Sequence, residues 1–318
     1  MTKIGYQASH EQSFPKQLLE YSKQAESHGF ECVLSSDHVH PWSSIQGQSG
    51  FAWSWLGAAL EATNLDCGVV SVPGYRYHPV ILAQAVATLD QMYPGRFFLT
   101  LGSGEALNEH ITGTKWPVKP NRHQILLESV QVMRRLWQGE EVTFKGEITV
   151  EEAQLFTLPT ERPQVIGAAL TPETAAWLGT WADGLITVCQ PMDKLKKVLS
   201  SFKKNGGEGK PILLQAQLSY AKTYKQALDE AHQQWGPALL PSEVLSQLRT
   251  PAEFAALGHQ VSKEKVKEMI FISDDHEEVG QWIKKLLSLN FERIILHNVN
   301  RDQTRFIDEI GKRVLSKL

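Results

Sequence analysis

Residues 164–189 read QVIGAALTPETAAWLGTWADGLITVC, and this stretch decides the fold class. An apolar run at 164–169 is followed by Thr171 and Pro172, which are typical of a helix start. The threonine hydroxyl can cap free backbone N–H groups, and proline has no N–H to leave unpaired. A second apolar run at 184–189 follows this helical segment. Strand, helix and strand in so short a stretch predict a βαβ unit with two parallel strands.

The same alternation runs through the whole chain. Short apolar segments, interpreted as strands, alternate with longer segments in which apolar residues recur at helical spacing. Eight parallel strands with intervening helices close into a (β/α)8 TIM barrel, an α/β fold. The predicted strands are residues 3–8, 30–36, 66–72, 96–101, 164–169, 184–189, 212–219 and 293–297, and the predicted helices are 11–28, 54–63, 79–92, 122–137, 171–182, 192–204, 224–235 and 303–315.

An open, doubly wound sheet is the alternative architecture. Its dinucleotide-binding fingerprint requires three glycines after a strand. The candidate stretch has Gly102 and Gly104 but Leu107 at the third position, and no acidic residue follows where a ribose would bind. The sequence therefore favours one barrel domain over residues 1–318.

Two segments exceed what a barrel needs. Residues 138–163 separate a helix from the fifth strand and contain a candidate hairpin turn at Lys145-Gly146. Residues 236–262 contain three prolines and are long for a connection, and long ordered insertions are often functional. This second insertion could form a lid over the barrel mouth or a peripheral cover with no role, and the sequence leaves both possibilities open.

The composition excludes several classes of protein. Since 32 Lys and Arg face 35 Asp and Glu, the net charge is -3, and no basic excess favours nucleic acid. No apolar run approaches the roughly 18 residues of a membrane span, and the first residues lack the apolar segment of a secretory signal. The three cysteines lack zinc-type spacing. We therefore expect a cytoplasmic protein with a small-molecule substrate and no nucleic-acid or membrane partner.

The carboxyl ends of the barrel strands are where an active site is expected. Asp37 and His38 follow the second strand, Trp42 comes shortly after, and Glu105 follows the fourth strand. A histidine with a carboxylate behind it and a second carboxylic acid suit general acid–base catalysis. Each residue alone also has a structural explanation. His38 could be a hydrogen-bonded core histidine, and Glu105 could be a carboxylate at a helix terminus. Their convergence on one face of the barrel favours catalysis.

A metal site is a weaker possibility. His38 and His40 are two residues apart on an extended segment, so both could face one metal. Together with His297 they would suit a metal-dependent barrel hydrolase. The fifth and sixth strands end without further ligands, so we expect no metal.

An anion site is suggested where Thr171 opens a helix directly after a strand. Free backbone N–H groups at such a position can bind a phosphate, and Arg122 could neutralise it. The simpler alternative is plain helix capping by Thr171 and a surface arginine at position 122.

Four stretches carry a family resemblance. They are Ser36-Asp37-His38-x-x-Pro41-Trp42, Tyr75-Arg76-Tyr77-His78-Pro79, Tyr93-Pro94-Gly95-Arg96-Phe97 and Gly102-Ser103-Gly104-Glu105-Ala106-Leu107-Asn108-Glu109. In this order and spacing they resemble the bacterial luciferase-like flavin oxidoreductases, and the nearest branch is that of the deazaflavin-dependent glucose-6-phosphate dehydrogenases. The second half of the chain matches more loosely.

The resemblance implies catalytic roles for three residues. The residue at His38 acts as base on the substrate hydroxyl, that at Glu105 is the proton-transfer partner, and that at Trp42 steadies the transition state. Asp37 would contact the ring system of the cofactor or orient the histidine. The implied activity is that of an oxidoreductase, with hydride transfer between the cofactor and a small organic substrate.

The resemblance also implies where the cofactor lies. In this family a non-prolyl cis peptide commonly stands behind the ring, here near Val69 and Val70, and loops at the strand ends contact the tail and phosphate. The implied cofactor-binding residues are Asp37, Val69, Val70, Gly104, Asn108, Arg122, Ala169, Leu170 and Thr171. Relatives are usually dimers, so we expect a homodimer.

The sequence departs from its nearest branch at the substrate phosphate. Members clamp the phosphate with three basic side chains, which align near Gln190, at Leu245 and at Glu268, and none of these is basic. Glucose 6-phosphate is therefore not expected. The sequence looks like a subgroup that uses an ordinary flavin, which favours FMN, with O2 as a possible co-substrate, over coenzyme F420. The alternatives are an F420-dependent dehydrogenase of a non-phosphorylated substrate and an inert flavin-binding barrel.

Overall fold

The computed structural model describes all residues from Met1 to Leu318, with eleven strands and thirteen helices. The strands are β1 (Lys3–Ala8), β2 (Cys32–Ser35), β3 (Asp66–Ser71), β4 (Phe97–Leu101), β5 (Val142–Lys145), β6 (Thr149–Ala153), β7 (Val165–Ala168), β8 (Gly184–Val188), β9 (Ile212–Tyr220), β10 (Phe271–Ser273) and β11 (Arg293–Asn298). The helices are α1 (Pro15–Ser27), α2 (Ala52–Ala62), α3 (Pro79–Met92), α4 (Ala106–Glu109), α5 (Lys119–Leu136), α6 (Pro172–Gly179), α7 (Met192–Phe202), α8 (Tyr224–Trp235), α9 (Ser242–Leu245), α10 (Pro251–Gly258), α11 (Lys263–Met269), α12 (His276–Leu287) and α13 (Gln303–Arg313).

Eight strands form a closed parallel barrel in the order β1-β2-β3-β4-β7-β8-β9-β11. Parallel pairing of β11 with β1, from Lys3 opposite Arg293 to Tyr6 opposite Leu296, closes the cylinder. This arrangement confirms the predicted TIM barrel, and each of the eight predicted barrel strands is present. The carboxyl ends of all eight strands consequently meet at one mouth.

The stretch that decides the fold forms β7, α6 and β8. Pro172 is the first helical residue, and the Oγ1 of Thr171 accepts a hydrogen bond from the N–H of Thr174 at 3.4 Å. Leu178 on the inner face of α6 packs against Gly167 of β7, where a Cβ atom would stand only 2.4 Å from the leucine side chain. The glycine in the strand therefore allows the helix to lie close to the barrel.

Side chains along the strands alternate between the barrel lumen and the surrounding helices. Val70 packs with the lumen cluster, whereas Val69 belongs to the core between barrel and helices. Only the side chain of Val70 in the predicted pair therefore faces the interior of the barrel. The buried members of the lumen cluster are Cys32, Leu34, Ile166, Ile186, Leu213 and Ile295.

Helix α1 begins at Pro15, whereas the sequence pattern predicted a start at Glu11. Proline fixes its φ and lacks an N–H, which suits the first helical position, and here it stands at N1/N2. Residues 9–14 form a loop instead. Glu11 is thereby placed just beyond the carboxyl end of β1, at the barrel mouth.

The long connections contain structure of their own. Strands β5 and β6 form an antiparallel hairpin in which Lys145 pairs with Thr149. Helices α9, α10 and α11 follow β9 and α8, and β10 pairs with the outer end of β9 without joining the barrel. Strand β10 and helix α12 were not anticipated from the sequence, because neither is needed for the eight-strand count.

Two further expectations concern the backbone and the membrane. Every peptide bond is trans, so the cis peptide that the resemblance implied near Val69 and Val70 is not present. None of the helices combines the length and the apolar character that crossing a membrane requires.

Candidate active site

Glu11 and His38 form an ion pair at the carboxyl ends of β1 and β2. Nδ1 of His38 lies 2.7 Å from Oε1 of Glu11. The other oxygen of Glu11 accepts hydrogen bonds from the hydroxyl groups of Ser9 at 2.7 Å and Ser36 at 2.9 Å. Since Nδ1 faces the carboxylate, Nε2 is the ring nitrogen that remains for a substrate.

The pair changes the proton affinity of both partners. Burial acts to raise the pKa of Glu11 and to lower that of His38, but the opposite charges and the hydrogen bond between them outweigh it. The pKa of Glu11 is therefore held well below its usual range, and the pKa of His38 is raised above 6.5. A proton taken up by His38 is stabilised by a carboxylate that stays ionised.

Sequence reasoning missed Glu11. The apolar spacing placed Glu11 in the first predicted helix, so Glu11 was not among the candidate residues at the strand ends. The signal was available, because Ser9, His10 and Glu11 directly follow β1 and Pro15 marks the true helix start.

Asp37 belongs to a different network and does not orient His38. Its carboxylate accepts hydrogen bonds from Ser71 at 2.6 Å and Tyr77 at 2.9 Å, and lies 3.3 Å from Nη1 of Arg76. The Arg76 guanidinium also donates to the Asp37 carbonyl at 2.7 Å. Two roles were expected for Asp37. Glu11, and not Asp37, orients His38. The other role, contact with a cofactor ring, stays a prediction.

Glu105 is the first residue of the loop-to-helix junction at α4, yet its side chain caps no backbone N–H. Its Oε2 is shielded from solvent and has no hydrogen-bond partner. Burial raises the pKa of Glu105 to about 7, although the charge of His38 opposes the rise. The helix-capping alternative is therefore wrong, and the carboxyl group can hold or release a proton near neutral pH.

An aromatic wall stands beside the ion pair. Trp42 lies edge-on to His38 with ring centroids 5.4 Å apart, and Phe254 and Trp235 lie 5.2 and 6.4 Å from Trp42. Trp235 in turn lies edge-on to His297 at 4.5 Å. Since Phe254 is part of the insertion at 236–262, this contact favours a lid at the barrel mouth. Such a wall presents an apolar surface to a substrate and excludes water.

Asn108 holds the loop that carries His38. Its Oδ1 accepts hydrogen bonds from the backbone N–H groups of Val39 at 2.8 Å and His40 at 3.1 Å, and the residue is 3% exposed. The structure therefore gives Asn108 a positioning contact within the protein, which the sequence did not anticipate. Its predicted contact with the cofactor stays a prediction.

Arg122 and Gly104 lie near the same loop. Arg122 is buried, with its guanidinium 5.1 Å from the Trp116 ring centroid and donating to the carbonyl of Pro117 at 2.9 Å. It is not the surface arginine of the simpler alternative. Gly104 has a φ of +80°, and a Cβ there would stand 2.9 Å from Val72. The loop therefore requires glycine at this position.

The other predicted cofactor contacts lie at the end of β7. Ala169 is buried, Leu170 is half exposed, and the hydroxyl of Thr171 is engaged in capping α6. The carbonyl of Leu170 accepts a hydrogen bond from Gln190 at 3.4 Å. Whether these residues bind a phosphate or tail stays a prediction.

The three histidines considered for a metal do not gather. Nδ1 of His38 faces Glu11, and Nδ1 of His40 is 2.9 Å from the carbonyl oxygen of Leu107. No group of three or more His, Cys, Asp or Glu side chains could hold a metal ion. The hydrolase interpretation with His38, His40 and His297 therefore lacks its ligand geometry.

The three positions aligned with the phosphate clamp offer no free cation. Gln190 follows β8, and Leu245 ends α9. Glu268 is exposed on α11 and pairs with Lys265 at 3.0 Å. These three positions thus carry a neutral, an apolar and an acidic side chain, and none carries a cation.

Comparison with known proteins decides the family. The chain matches the family model of luciferase-like monooxygenases over residues 1–293. It belongs to the luciferase-like oxidoreductases. This luciferase-like protein is 32% identical over 327 residues to the F420-dependent glucose-6-phosphate dehydrogenase of Microbacterium testaceum, covering 99% of this chain and 97% of the relative. It is 35% identical over 329 residues to that of Rhodococcus hoagii, with coverage of 99% and 97%.

Solved structures give the same result. An F420-dependent secondary alcohol dehydrogenase in complex with an F420–acetone adduct has a TM-score of 0.90 at 33% identity, covering 98% of this chain and 97% of that one. The F420-dependent tetrahydromethanopterin reductase from Methanopyrus kandleri shares the fold, with a TM-score of 0.78, 18% identity and 99% coverage of both chains. The resemblance and the oxidoreductase class are confirmed, whereas the preference for FMN is not.

Proposed function

We propose that this luciferase-like oxidoreductase is an F420-dependent dehydrogenase that oxidises a non-phosphorylated alcohol to the carbonyl compound. The observation that carries the proposal is the ion pair of His38 with Glu11, which holds a base at the barrel mouth beside the aromatic wall. The relatives and the solved structure at 33% identity are F420-dependent, which supports F420 over the FMN that the sequence alone favoured.

The residues beside Glu105 fit a deazaflavin. Oε2 of Glu105 is buried without a partner, and a ring that bears N–H and carbonyl groups could satisfy it. Val70 lines the barrel lumen, and Arg122 is a buried cation whose charge acts on Glu105. These residues would hold the cofactor, with Gly104 allowing the loop its left-handed turn. When bound, the cofactor supplies the acceptor for the hydride that leaves the carbinol carbon.

The protein itself handles the protons. Nε2 of neutral His38 takes the hydroxyl proton as the carbonyl bond forms, and ionised Glu11 stabilises the resulting imidazolium. Glu105, with a pKa of about 7, supplies at Oε2 the proton that accompanies the transferred hydride. The alcohol thus loses a hydride and a proton, and both are accounted for. Trp42 and its aromatic neighbours keep water from the reacting carbon.

The substrate class follows from what the mouth lacks. The positions aligned with the phosphate clamp carry Gln190, Leu245 and Glu268, so none of them supplies a cation to neutralise a phosphate dianion. The wall of Trp42, Trp235 and Phe254 suits carbon surface instead. A neutral alcohol therefore fits better than glucose 6-phosphate.

Parallel fluorescence titrations with F420 and FMN test the cofactor. We expect micromolar or tighter binding of F420 and much weaker binding of FMN. Arg122→Gln should weaken F420 binding, whereas Arg313→Gln, an exposed arginine at the end of α13, should leave it unchanged. Tight binding of FMN with none of F420 would contradict the cofactor assignment, and binding of neither would contradict the proposed function.

A cytoplasmic homodimer stays a prediction. Light scattering of the purified protein would measure its mass in solution, and the expected value is twice the 35.7 kDa of one chain. A mass of one chain would contradict the predicted dimer without affecting the proposed chemistry.

A further inference from the structure

The barrel lumen changes from apolar to polar at the mouth. Because side chains alternate along a strand, Gln215 and Gln217 continue the lumen side of Leu213 on β9, and His297 continues that of Ile295 on β11. His297 and Gln217 are opposite each other in the register of the two strands. A layer of uncharged polar groups thus lies above the apolar lumen cluster.

His297 is buried without a partner. It is 2% exposed, and neither ring nitrogen makes a hydrogen bond. Burial lowers the pKa of His297 to about 4, so near neutral pH the ring is uncharged, with one donor and one acceptor. A buried polar group left unpaired is costly, so a hydrogen-bonding ligand that reached His297 would remove that cost.

Gln217 also has a free amide. The neighbouring Gln215 donates a hydrogen bond to Oε1 of Gln7 at 3.0 Å, whereas the side chain of Gln217 makes no such bond. Gln217 is buried, with 8% of its surface exposed. The free amide and the free imidazole therefore stand side by side on adjacent strands.

A chain of aromatic rings links His297 to the catalytic pair. Trp235 contacts His297 at 4.5 Å and Trp42 at 6.4 Å, and Trp42 contacts His38. The charge of Glu11 also acts on His297. A molecule whose hydroxyl lies at His38 would thus extend along Trp235 toward His297.

Resting on the proposed alcohol dehydrogenase function, we propose that His297 and Gln217 bind a second hydroxyl group of the substrate, which is a diol or larger polyol. A hydroxyl both donates and accepts, and it matches the donor and acceptor of a neutral imidazole and of an amide. A carboxylate or phosphate would find no cation in this layer. A site that binds a hydroxyl discriminates against an analogue that lacks it, because its own polar groups are then left unpaired.

Pairs of alcohols that differ by one hydroxyl test the proposal. We would measure kcat/KM with propan-2-ol and propane-1,2-diol, and with butan-2-ol, butane-1,3-diol and butane-2,3-diol, following reduction of F420. We expect at least one diol to be preferred by about tenfold or more over its monohydric partner. His297→Phe should abolish that preference, mainly through KM for the diol, and His297→Gln should restore part of it.

His10→Phe is the matched control. His10 is also fully buried, has no partner for either ring nitrogen and lies edge-on to a tryptophan, Trp55, at 5.0 Å. The diol preference should survive in this variant even if overall turnover falls. A preference that survives His297→Phe, or equal kcat/KM for each pair in the wild type, would overturn the proposal.

Calorimetric titration of the same diols separates this proposal from the proposed function. If no alcohol reduces F420, the proposed dehydrogenase function is wrong. Binding of the diols then still tests whether His297 is part of a hydroxyl site. Binding that is lost in His297→Phe and kept in His10→Phe supports the hydroxyl site. No binding of any diol to the wild type overturns it.

Discussion

Replacing Glu11 by glutamine should weaken proton binding at His38. At 2.7 Å between Nδ1 and Oε1, two unit charges attract by about 6 kcal/mol at an effective dielectric constant of 20. Burial of the imidazole opposes this attraction and persists in the variant, so Glu11→Gln removes the main cause that raises the pKa of His38. Even a quarter of the attraction, about 1.5 kcal/mol, changes a proton-binding constant about tenfold. We therefore expect at least that loss, and a histidine that is neutral at lower pH.

Two measurements check this expectation. Nitrogen NMR of the histidine rings across the pH range reports the titration of His38 directly, with His38→Ala identifying its signals. In Glu11→Gln, the part of the kcat/KM pH profile that reflects the ionisation of His38 should move to lower pH. Maximal turnover should also fall, because the His38 ring loses the carboxylate that orients it. Asp37→Asn, which removes the carboxylate of the neighbouring network, should move this part of the profile less. A titration of His38 that is unchanged in Glu11→Gln would refute the reasoning.

Two further predictions follow from the same structure. His38→Ala and Glu105→Gln should each lower turnover by about 10²- to 10⁴-fold, since general acid–base groups contribute that much. Cofactor affinity should stay nearly unchanged. Unchanged turnover in both variants, measured by steady-state kinetics, would be incompatible with these roles. His10 has its pKa lowered to about 4 by burial, so its neutral form stabilises the folded protein above pH 6.5 and this contribution is lost as the pH falls toward 4. Between pH 7 and pH 5, the free energy of unfolding should fall by roughly 2 kcal/mol less in His10→Phe than in the wild type. Equal falls in the two proteins, measured by urea denaturation, would contradict the burial argument.

The barrel was predictable because its signals are local. Each βαβ unit carries its own apolar run and helix start, as Thr171 and Pro172 show, and eight such units leave few ways to close a sheet. Strand β10 gave no comparable signal, since three residues at the edge of β9 have no periodicity to detect. The predicted start of α1 at Glu11 is wrong, because the helix begins at Pro15 and apolar spacing alone does not mark that position.

The site was predictable only where function clusters at strand ends. His38 and Glu105 follow recognisable strands, so their positions at the mouth could be inferred. Trp235 and Phe254 come from α8 and from the insertion, and no sequence spacing relates them to Trp42. Adjacency in the sequence does not identify the partner of His38. Asp37 is its neighbour in the chain, whereas Glu11, the actual partner, follows the neighbouring strand β1.

The most direct test of the central claim is the reduction of F420 by alcohols. The purified protein is mixed with oxidised F420 and a non-phosphorylated secondary alcohol or diol, and the loss of the absorbance of the oxidised cofactor is followed, with glucose 6-phosphate and His38→Ala in parallel. We predict rapid reduction with the neutral alcohol, little with glucose 6-phosphate and almost none in the variant. Reduction with glucose 6-phosphate alone, or turnover only with FMN, would contradict the account.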